Sequence, residues 1–479
     1  MARLFIFGIG GTGARVLRSL TMLMASGVKL GVDEVVPILI DPDAGNADLT
    51  RTTSLLNDYA NIKQCLTQPN ENKFFGTGIT NVTTNYYMEL KDTSSMKFAD
   101  YIGLKTMDKA SRSMTEMLFS GENLDSDMKV GFKGNPNVGS VVLNQLVGTD
   151  AFQAFASLFS AGDKIFIINS IFGGTGASGF PLLLKILRGS TPSDYAKASV
   201  IASSVIGAVT VLPYFTIKSA EESKSKINSS TFLSKAKSAL AYYEENIYDN
   251  KQIDQLYFIG DDMMSEPYEN NEGGPDQRNA AHLVEMMAAT AVVDFSNVDG
   301  GTRPDRPCSK ELGLKVNDDG DDPKVITFDN FYEGLRDMLF GPMVEFAMMA
   351  NVFHHRFDDV KSGTLDANQS GDFKDIFSSA FIKNLRGFLE NYRAWLAEME
   401  GNKRSLKLFN LNSAADPFML VTGVAPKKSG WFSRAKYNLL FHQLNEAAKR
   451  ITKVKKEDPN AFMEMYSMAL RELVTNKFK

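Results

Sequence analysis

The sequence predicts an α/β protein in which a mostly parallel sheet is flanked by helices, followed by a largely helical C-terminal region. In the first half, short apolar runs alternate with helical patterns, and from Phe328 onward apolar residues recur with helical spacing. Turn-rich segments follow the expected strands, so ligand-binding residues are expected at the carboxyl ends of the strands. The expected strands are Leu4–Phe7, Val35–Ile40, Lys164–Asn169, Ser199–Ala208 and Gln255–Ile259.

A long apolar segment marks the end of the α/β part. Residues 279–295 contain neither Gly nor Pro and are apolar on most faces, which predicts a central helix buried on several sides. The segment that follows is rich in Gly, Pro and Asp. We therefore predict an α/β domain over residues 1–295, an insertion or linker over 296–325, and a mainly helical domain over 326–479.

Composition excludes several classes of protein. The 52 basic and 57 acidic residues give a net charge of −5, unlike the strongly basic profile of a dedicated nucleic-acid binder. Two cysteines and four histidines are too few to suggest a disulfide framework or a cysteine-based metal site, so no metal ligands are assigned. Neither a signal peptide nor a long apolar span is apparent, so we expect a cytoplasmic protein without a transmembrane segment.

A first glycine loop, Gly8-Ile9-Gly10-Gly11-Thr12-Gly13, joins strand Leu4–Phe7 to a helical run. Glycines permit a tight turn, and the helix N-terminus presents N–H groups to a phosphate. The loop also satisfies G-x-G-x-x-G, and Asp41 and Asp43 after the next strand could bind a ribose. A dinucleotide-binding Rossmann domain therefore explains this segment equally well.

Two further glycine loops distinguish these interpretations. Gly173-Gly174-Thr175-Gly176 follows strand Lys164–Asn169, and Gly134-Asn135 precedes another helical run. The latter alone is also explained by a Pro-Asn turn that caps a helix. A Rossmann domain needs one glycine turn, whereas three glycine loops indicate one phosphate chain bound from several sides.

These loops resemble those of the tubulin/FtsZ superfamily, and the chain looks most similar to divergent bacterial tubulin-like proteins. Gly173–Gly176 resembles the glycine-rich signature, Gly10–Gly13 the first phosphate loop, and Asn135–Gly139 the third. Asp41-Pro42-Asp43-Ala44 is similar to the metal-proximal loop, and Thr210–Phe215 to the sugar-proximal loop. The resemblance implies GTP or GDP with Mg²⁺ as ligands.

The resemblance also suggests a base-reading residue. Ile259-Gly260-Asp261-Asp262 stands where FtsZ proteins typically have Ile-Pro-Asn-Asp, so Asp261 replaces the base-reading Asn. A carboxylate can still accept hydrogen bonds from guanine N1–H and from its exocyclic amine.

Catalytic residues are predicted from the segment after the central helix. In filament-forming relatives, acidic residues of this segment enter the neighbouring subunit's nucleotide site. Here Asp299 is the best candidate and Asp329 the second, although both are equally explained as solvated loop acids. Gly300 and Gly301 are followed by Thr302 in place of the usual second acid, so hydrolysis would be weak or assembly-dependent.

The resulting functional prediction is a guanine-nucleotide-binding protein, with GTPase activity left open. The protein would self-assemble, or would switch a partner interface through its C-terminal helical region. A Rossmann-type NAD-dependent oxidoreductase and a nucleotide-independent scaffold are the alternatives. Basic residues within 427–456 suit contact with nucleic acid or an anionic membrane surface, but a solvated helix face is the explanation we favour.

Overall fold

The structure is a computed structural model of the 479-residue chain. It describes residues 2–67, 70–93, 96–128, 131–132, 134–216, 229–261, 274–276, 278–304, 307–311, 314–315, 323–362, 373, 375–414, 416–427, 436–451 and 458–478.

A seven-stranded sheet forms the first part, with strand order β3-β2-β1-β4-β5-β6-β7. Every neighbouring pair is parallel, which confirms the predicted α/β class. The chain winds outward from β1 in one direction and from β4 in the other, so a ligand-binding crevice is expected between them at the carboxyl edge. The strands are β1 Arg3–Ile9, β2 Glu34–Ile40, β3 Gly78–Ile79, β4 Lys164–Ser170, β5 Ile206–Val211, β6 Gln255–Ile259 and β7 Cys308–Glu311.

Helices cover both faces of this sheet. Right-handed crossovers place α1 and α2 on one face and α8 on the other, and α11 packs beside α1. The helices are α1 Gly10–Ala25, α2 Ala47–Gln64, α3 Phe98–Tyr101, α4 Lys109–Leu118, α5 Gly121–Leu124, α6 Pro136–Leu143, α7 Asp150–Leu158, α8 Gly174–Gly189, α9 Ala198–Ser203, α10 Ser229–Tyr243 and α11 Leu283–Ser296.

Two sequence-based expectations differ from the observed elements. The expected strand Ser199–Ala208 is wrong in its first half, where helix α9 packs beside α8 before β5 begins. Periodicity cannot separate a short apolar helix from a buried strand, which accounts for the error. In addition, β7 lies inside the predicted linker and hydrogen-bonds to β6, so this segment extends the sheet.

The C-terminal region is largely helical, as predicted. Between α14 and α15, the chain forms a 3₁₀ turn over Pro417–Leu420 and an isolated bridge between Phe409 and Val421. A two-stranded parallel ribbon joins β8 Val325–Ile326 to β9 Ser405–Leu406. The helices are α12 Glu333–His355, α13 Phe357–Ser362, α14 Ala380–Glu400, α15 Lys436–Arg450 and α16 Pro459–Phe478.

Helix α14 joins the two parts of the chain by packing on the face that carries α1 and α2. Trp395 Nε1 donates a hydrogen bond to Ser19 Oγ at 3.2 Å. Glu398 accepts hydrogen bonds from Arg18 Nη1 at 2.7 Å and from the Ala281 amide at 2.9 Å. The C-terminal region therefore contacts the helix that begins at the first glycine loop. Within the described part of the chain, no helix is long and apolar enough to cross a membrane.

Candidate functional site

The three glycine loops meet at the crevice between β1 and β4. A Cβ atom added to Gly10 would lie 3.4 Å from Thr175 Cβ, and one added to Gly174 would lie 3.0 Å from the Gly134 amide nitrogen and 3.1 Å from that of Asn135. Gly10 and Gly134 adopt φ values of +72° and +74°, which favour glycine. The loops are therefore in direct contact, and side chains would obstruct this contact.

The helices that begin at these loops share an open N-terminus. The N-cap residues of these three helices make no side-chain hydrogen bond to the first turn, as is also true of α9 and α12. In contrast, Asn46, Thr149 and His282 cap α2, α7 and α11. First-turn N–H groups and the positive end of the helix dipole are suited to bind phosphate oxygens. Three such ends converge on one point.

A lysine from α10 lies beside the third loop. Lys235 Nζ donates to the Gly134 carbonyl oxygen at 2.7 Å, and desolvation lowers the pKa of the Lys235 ammonium. Sequence reasoning did not identify this cation, because a lysine on a helix a hundred residues away carries no local signal of what it contacts.

Asp41 and Asp43 follow β2 at the same edge of the sheet. Asp41 Oδ1 accepts from the Asp43 amide at 2.9 Å, and Asp43 Oδ2 accepts from the Gly274 amide at 2.7 Å. Burial raises the pKa of Asp41 to about 7, and the charges of Asp43 and Asp48 act in the same direction. A bound cation would favour the ionised carboxylate. Among the described residues, no group of three or more His, Cys, Asp or Glu side chains is arranged to hold a metal ion by itself.

A buried polar network connects the first loop's helix to the start of α11. Arg15 Nε donates to Glu285 Oε1 at 2.5 Å, and Arg15 Nη1 donates to Asp48 Oδ2 at 2.9 Å. The Tyr214 hydroxyl also donates to Glu285 Oε1, at 2.8 Å. Glu285 Oε2 in turn accepts the His282 amide at 3.0 Å. This charged network was missed from the sequence because its members come from four separate segments.

Aromatic side chains line the same region. The Tyr214 ring lies 4.7 Å from the His282 ring and 4.9 Å from that of Phe215, and Phe172 of the second loop lies 5.6 Å from Phe215. Burial lowers the pKa of His282 to about 4, and the charges of Arg15 and Arg404 add to this effect. The imidazole is therefore neutral at pH 7.

Asp261 lies immediately beyond β6 at the carboxyl edge. Its carboxylate forms an ion pair with Arg404, which lies between α14 and β9, and both side chains are only 8% exposed. The guanidinium Nε of Arg404 also donates to the Pro323 carbonyl oxygen at 3.2 Å. The residue assigned to base reading is thus already paired with a residue of the C-terminal region.

Asp299 lies away from the glycine loops. Asp299 is exposed just beyond the C-terminal end of α11, where it accepts the Gly301 amide at 3.0 Å. Its neighbour Gly300 packs on Gly162, which precedes β4, so this end of α11 is at the amino edge of the sheet. The 14 residues of α11 span about 21 Å. Asp329 is 54% exposed and pairs with Arg336 at 3.4 Å.

The basic C-terminal segment is described only in part. Lys449 pairs with Glu446 at 2.7 Å, and Arg450 pairs with Glu472. These contacts fit a solvated helix face. The other basic residues that suggested a nucleic-acid or membrane contact include Lys428, Arg434, Lys453, Lys455 and Lys456, which lie outside the described residues.

Comparisons with known proteins give only partial similarities. No protein-family profile and no curated protein matches the chain. Among solved structures, CetZ2 from Haloferax volcanii in a GTPγS-bound protofilament has a TM-score of 0.31 at 15% identity, over 62% of this chain and 58% of CetZ2. CetZ1 from the same organism, a GDP-bound monomer, has a TM-score of 0.30 at 12% identity, over 61% of each chain.

A third solved structure, CetZ from Methanosaeta thermophila strain DSM 6194, has a TM-score of 0.26 at 16% identity over 62% of this chain. The match spans 51% of that protein, so this chain covers less than two thirds of all three proteins. The site assignment therefore rests on the arrangement of the loops.

Proposed function

We propose that this protein binds guanine nucleotides, GTP or GDP with Mg²⁺, at the carboxyl edge of its sheet in the manner of tubulin/FtsZ proteins. The observation that carries the proposal is the meeting of three glycine loops, each opening a helix without a side-chain cap. Backbone N–H groups would hold the phosphates. The proposed phosphate-binding residues are Gly10, Gly11, Thr12, Gly13, Gly134, Asn135, Gly173, Gly174, Thr175 and Gly176.

The remaining predicted residues lie at the same edge of the sheet and are assigned by their chemistry. Asp41 and Asp43 would lie near Mg²⁺ or the ribose, and an ionised Asp41 would attract the cation. The aromatic group of Phe172, Tyr214 and His282 would flank the base. Asp261 would accept hydrogen bonds from guanine.

The NAD-dependent alternative is less well supported. It requires one glycine loop and an Asp41 carboxylate able to accept a ribose hydroxyl. Asp41 could serve a ribose in either hypothesis, so it does not separate them. The NAD hypothesis gives no role to the second and third loops, whose contact with the first defines the crevice.

Hydrolysis would depend on assembly. Asp299 lies at the opposite edge of the sheet from the glycine loops, so it can approach a nucleotide only in another copy of the chain. Head-to-tail stacking would bring Asp299 of one copy towards the loops of the next. Asp329 would be a second acid at the same interface, and nucleotide state would reach the C-terminal helices through Glu398.

The first test is nucleotide content and selectivity. One sample of purified protein is denatured, and any released nucleotide is identified by chromatography. A second, native sample is freed of bound nucleotide and titrated with GTP, GDP, ATP and NAD in the presence of Mg²⁺. We expect guanine nucleotide. Release or binding of NAD, or no binding of any of these ligands, would contradict the proposal.

The second test uses matched variants at the two ends of α8. Gly174→Asp places a carboxylate among the loops, and we expect it to lower GTP affinity about a hundredfold by charge repulsion. Gly189→Asp, at the last residue of α8, meets no neighbouring atom within 4 Å and should leave affinity within about twofold. Circular dichroism verifies folding. Equal GTP affinity of the two folded variants would contradict the assignment of the phosphate site to the glycine loops.

A further inference from the structure

The base-reading end of the proposed site needs a hydrogen-bond donor. An ionised Asp261 can only accept hydrogen bonds, so it can bind guanine N1–H and the 2-amino group. Guanine also presents O6 and N7, which accept hydrogen bonds. Leaving these acceptors unpaired in a closed site would cost affinity, and a carboxylate beside O6 would repel it.

Arg404 places donors next to this carboxylate. Its Nη1 donates to Asp261 Oδ1, and its Nε donates to the Pro323 carbonyl, so the plane of the guanidinium is fixed from two sides. Both charged side chains are almost fully buried. A desolvated ion pair usually adds little net stability compared with apolar packing, so its presence calls for another explanation.

The pair lies close to the rest of the proposed nucleotide site. Asn402 Nδ2, two residues before Arg404, donates to the Ala281 carbonyl oxygen at 2.6 Å, so the segment that carries Arg404 lies beside His282. His282 in turn stacks near Tyr214. Tyr214 accepts a hydrogen bond from Arg15, which also donates to Thr12 of the first phosphate loop at 3.4 Å. These contacts link the first loop to the segment that carries Arg404.

We infer that Asp261 and Arg404 read the guanine base together, an inference that rests on the proposed function. Asp261 accepts N1–H and the 2-amino group, and Arg404 donates to O6 and N7. Adenine presents the reverse pattern, because its 6-amino donor faces the guanidinium and its N1 acceptor faces the carboxylate. Arg404 is therefore a specificity-determining residue supplied by the C-terminal region.

The first test changes only the ligand, so folding is not in question. The unaltered protein is titrated with GTP, ITP, 7-deaza-GTP and ATP. Relative to GTP, we expect ITP, which lacks the 2-amino group, to bind about tenfold more weakly and 7-deaza-GTP, which lacks the N7 acceptor, about fivefold more weakly. ATP should bind about a hundredfold more weakly.

The second test changes the residue. Arg404→Met removes the donors but keeps a long unbranched side chain, and we expect the ratio of GTP to ATP affinity to fall about tenfold. Arg404→Lys retains a positive charge without the planar fork and should have a smaller effect. Arg303→Met is the matched control, because Arg303 pairs with Asp254 at the other end of β6 at 2.7 Å. The control should leave the ratio unchanged.

The outcomes separate this inference from the proposed function. GTP binding with an unchanged GTP to ATP ratio in folded Arg404→Met would overturn the base-reading role while leaving the nucleotide site in place. Failure of the unaltered protein to bind any of these nucleotides would overturn the proposed function itself. If Arg404→Met does not fold, the ligand series decides, since equal binding of GTP, ITP and ATP excludes base reading by this pair.

Discussion

The strand ends at the amino edge of the central sheet and the helix starts at the glycine loops differ in how their backbone donors are satisfied. At the amino edge, Asp163 accepts the amides of Arg3 and Ser160, both at 2.9 Å. Asp254 accepts the Ile206 amide at 2.8 Å and binds Arg188 Nη2 at 2.6 Å. At the carboxyl edge, α1, α6 and α8 begin without any such side-chain partner among the described residues.

This difference separates structural polar groups from those available to a ligand. A carboxylate that is saturated by nearby amides and arginines fixes the ends of strands and helices. Helix N-termini that no side chain caps retain hydrogen-bonding capacity for an incoming anion. Substitutions of the amino-edge carboxylates should therefore change stability, and substitutions in or beside the glycine loops should change ligand affinity.

The largest expected effect is at the amino edge. Asp254→Ala would leave Arg188, whose side chain is 6% exposed, buried without its counter-charge. We expect the free energy of unfolding to fall by about 3–5 kcal/mol, with GTP affinity unchanged in the folded fraction. Denaturant unfolding and nucleotide titration measure the two quantities. A loss of stability below about 1 kcal/mol would contradict the structural role assigned to the amino-edge carboxylates.

A smaller, pH-dependent effect is expected at His282. Its pKa in the folded state, about 4, lies below the ordinary value of 6.5, so the unfolded chain binds the proton first. The contribution of the neutral His282 to stability is fully present above about pH 6.5. As pH falls towards 4, this contribution is lost, and the free energy of unfolding decreases by about 2–3 kcal/mol. His282→Asn retains a side-chain acceptor for the N-cap and should lose this contribution.

Urea unfolding at pH 4.5, 5.5 and 7 measures this contribution. The His282→Asn variant should lose less stability than the unaltered protein as pH falls through this range. Parallel pH profiles for the two proteins would mean that the imidazole does not titrate as its buried position requires.

The smallest expected effect is at Lys235 of the carboxyl edge. Lys235→Met removes a cation that contacts the third glycine loop, and we expect GTP affinity to fall about three- to tenfold while stability changes by less than about 0.5 kcal/mol. Lys237→Met, an exposed change of equal charge on the same helix, is the control. Equal affinities of these two variants would show that the cation acts only through net charge.

The sequence was sufficient where the signal was local. Glycine loops between apolar strands and helical runs marked the carboxyl edge, and the apolar run 279–295 identified most of α11. It was insufficient for contacts between distant segments, such as Arg15 with Glu285 or Asp261 with Arg404. Periodicity identifies a buried face but gives no information about what covers it.

Composition was also misleading in one segment. The Gly-, Pro- and Asp-rich residues after α11 indicated an insertion or linker, yet residues 308–311 within them form β7. Strand pairing with an existing sheet edge can order a short segment of low intrinsic strand preference, because the backbone supplies the hydrogen bonds.

The packing of α12 and α14 on the sheet domain has a consequence for synthesis of the chain. Phe74 and Phe75 leave the ribosome long before Phe346 and Phe388, the rings that lie 5.3 Å and 5.0 Å from them in the finished fold. The nascent sheet domain therefore carries an uncovered aromatic surface through most of translation. Such surfaces are prone to aggregate, so we expect a chain that ends before α12 to aggregate more readily than the full-length chain.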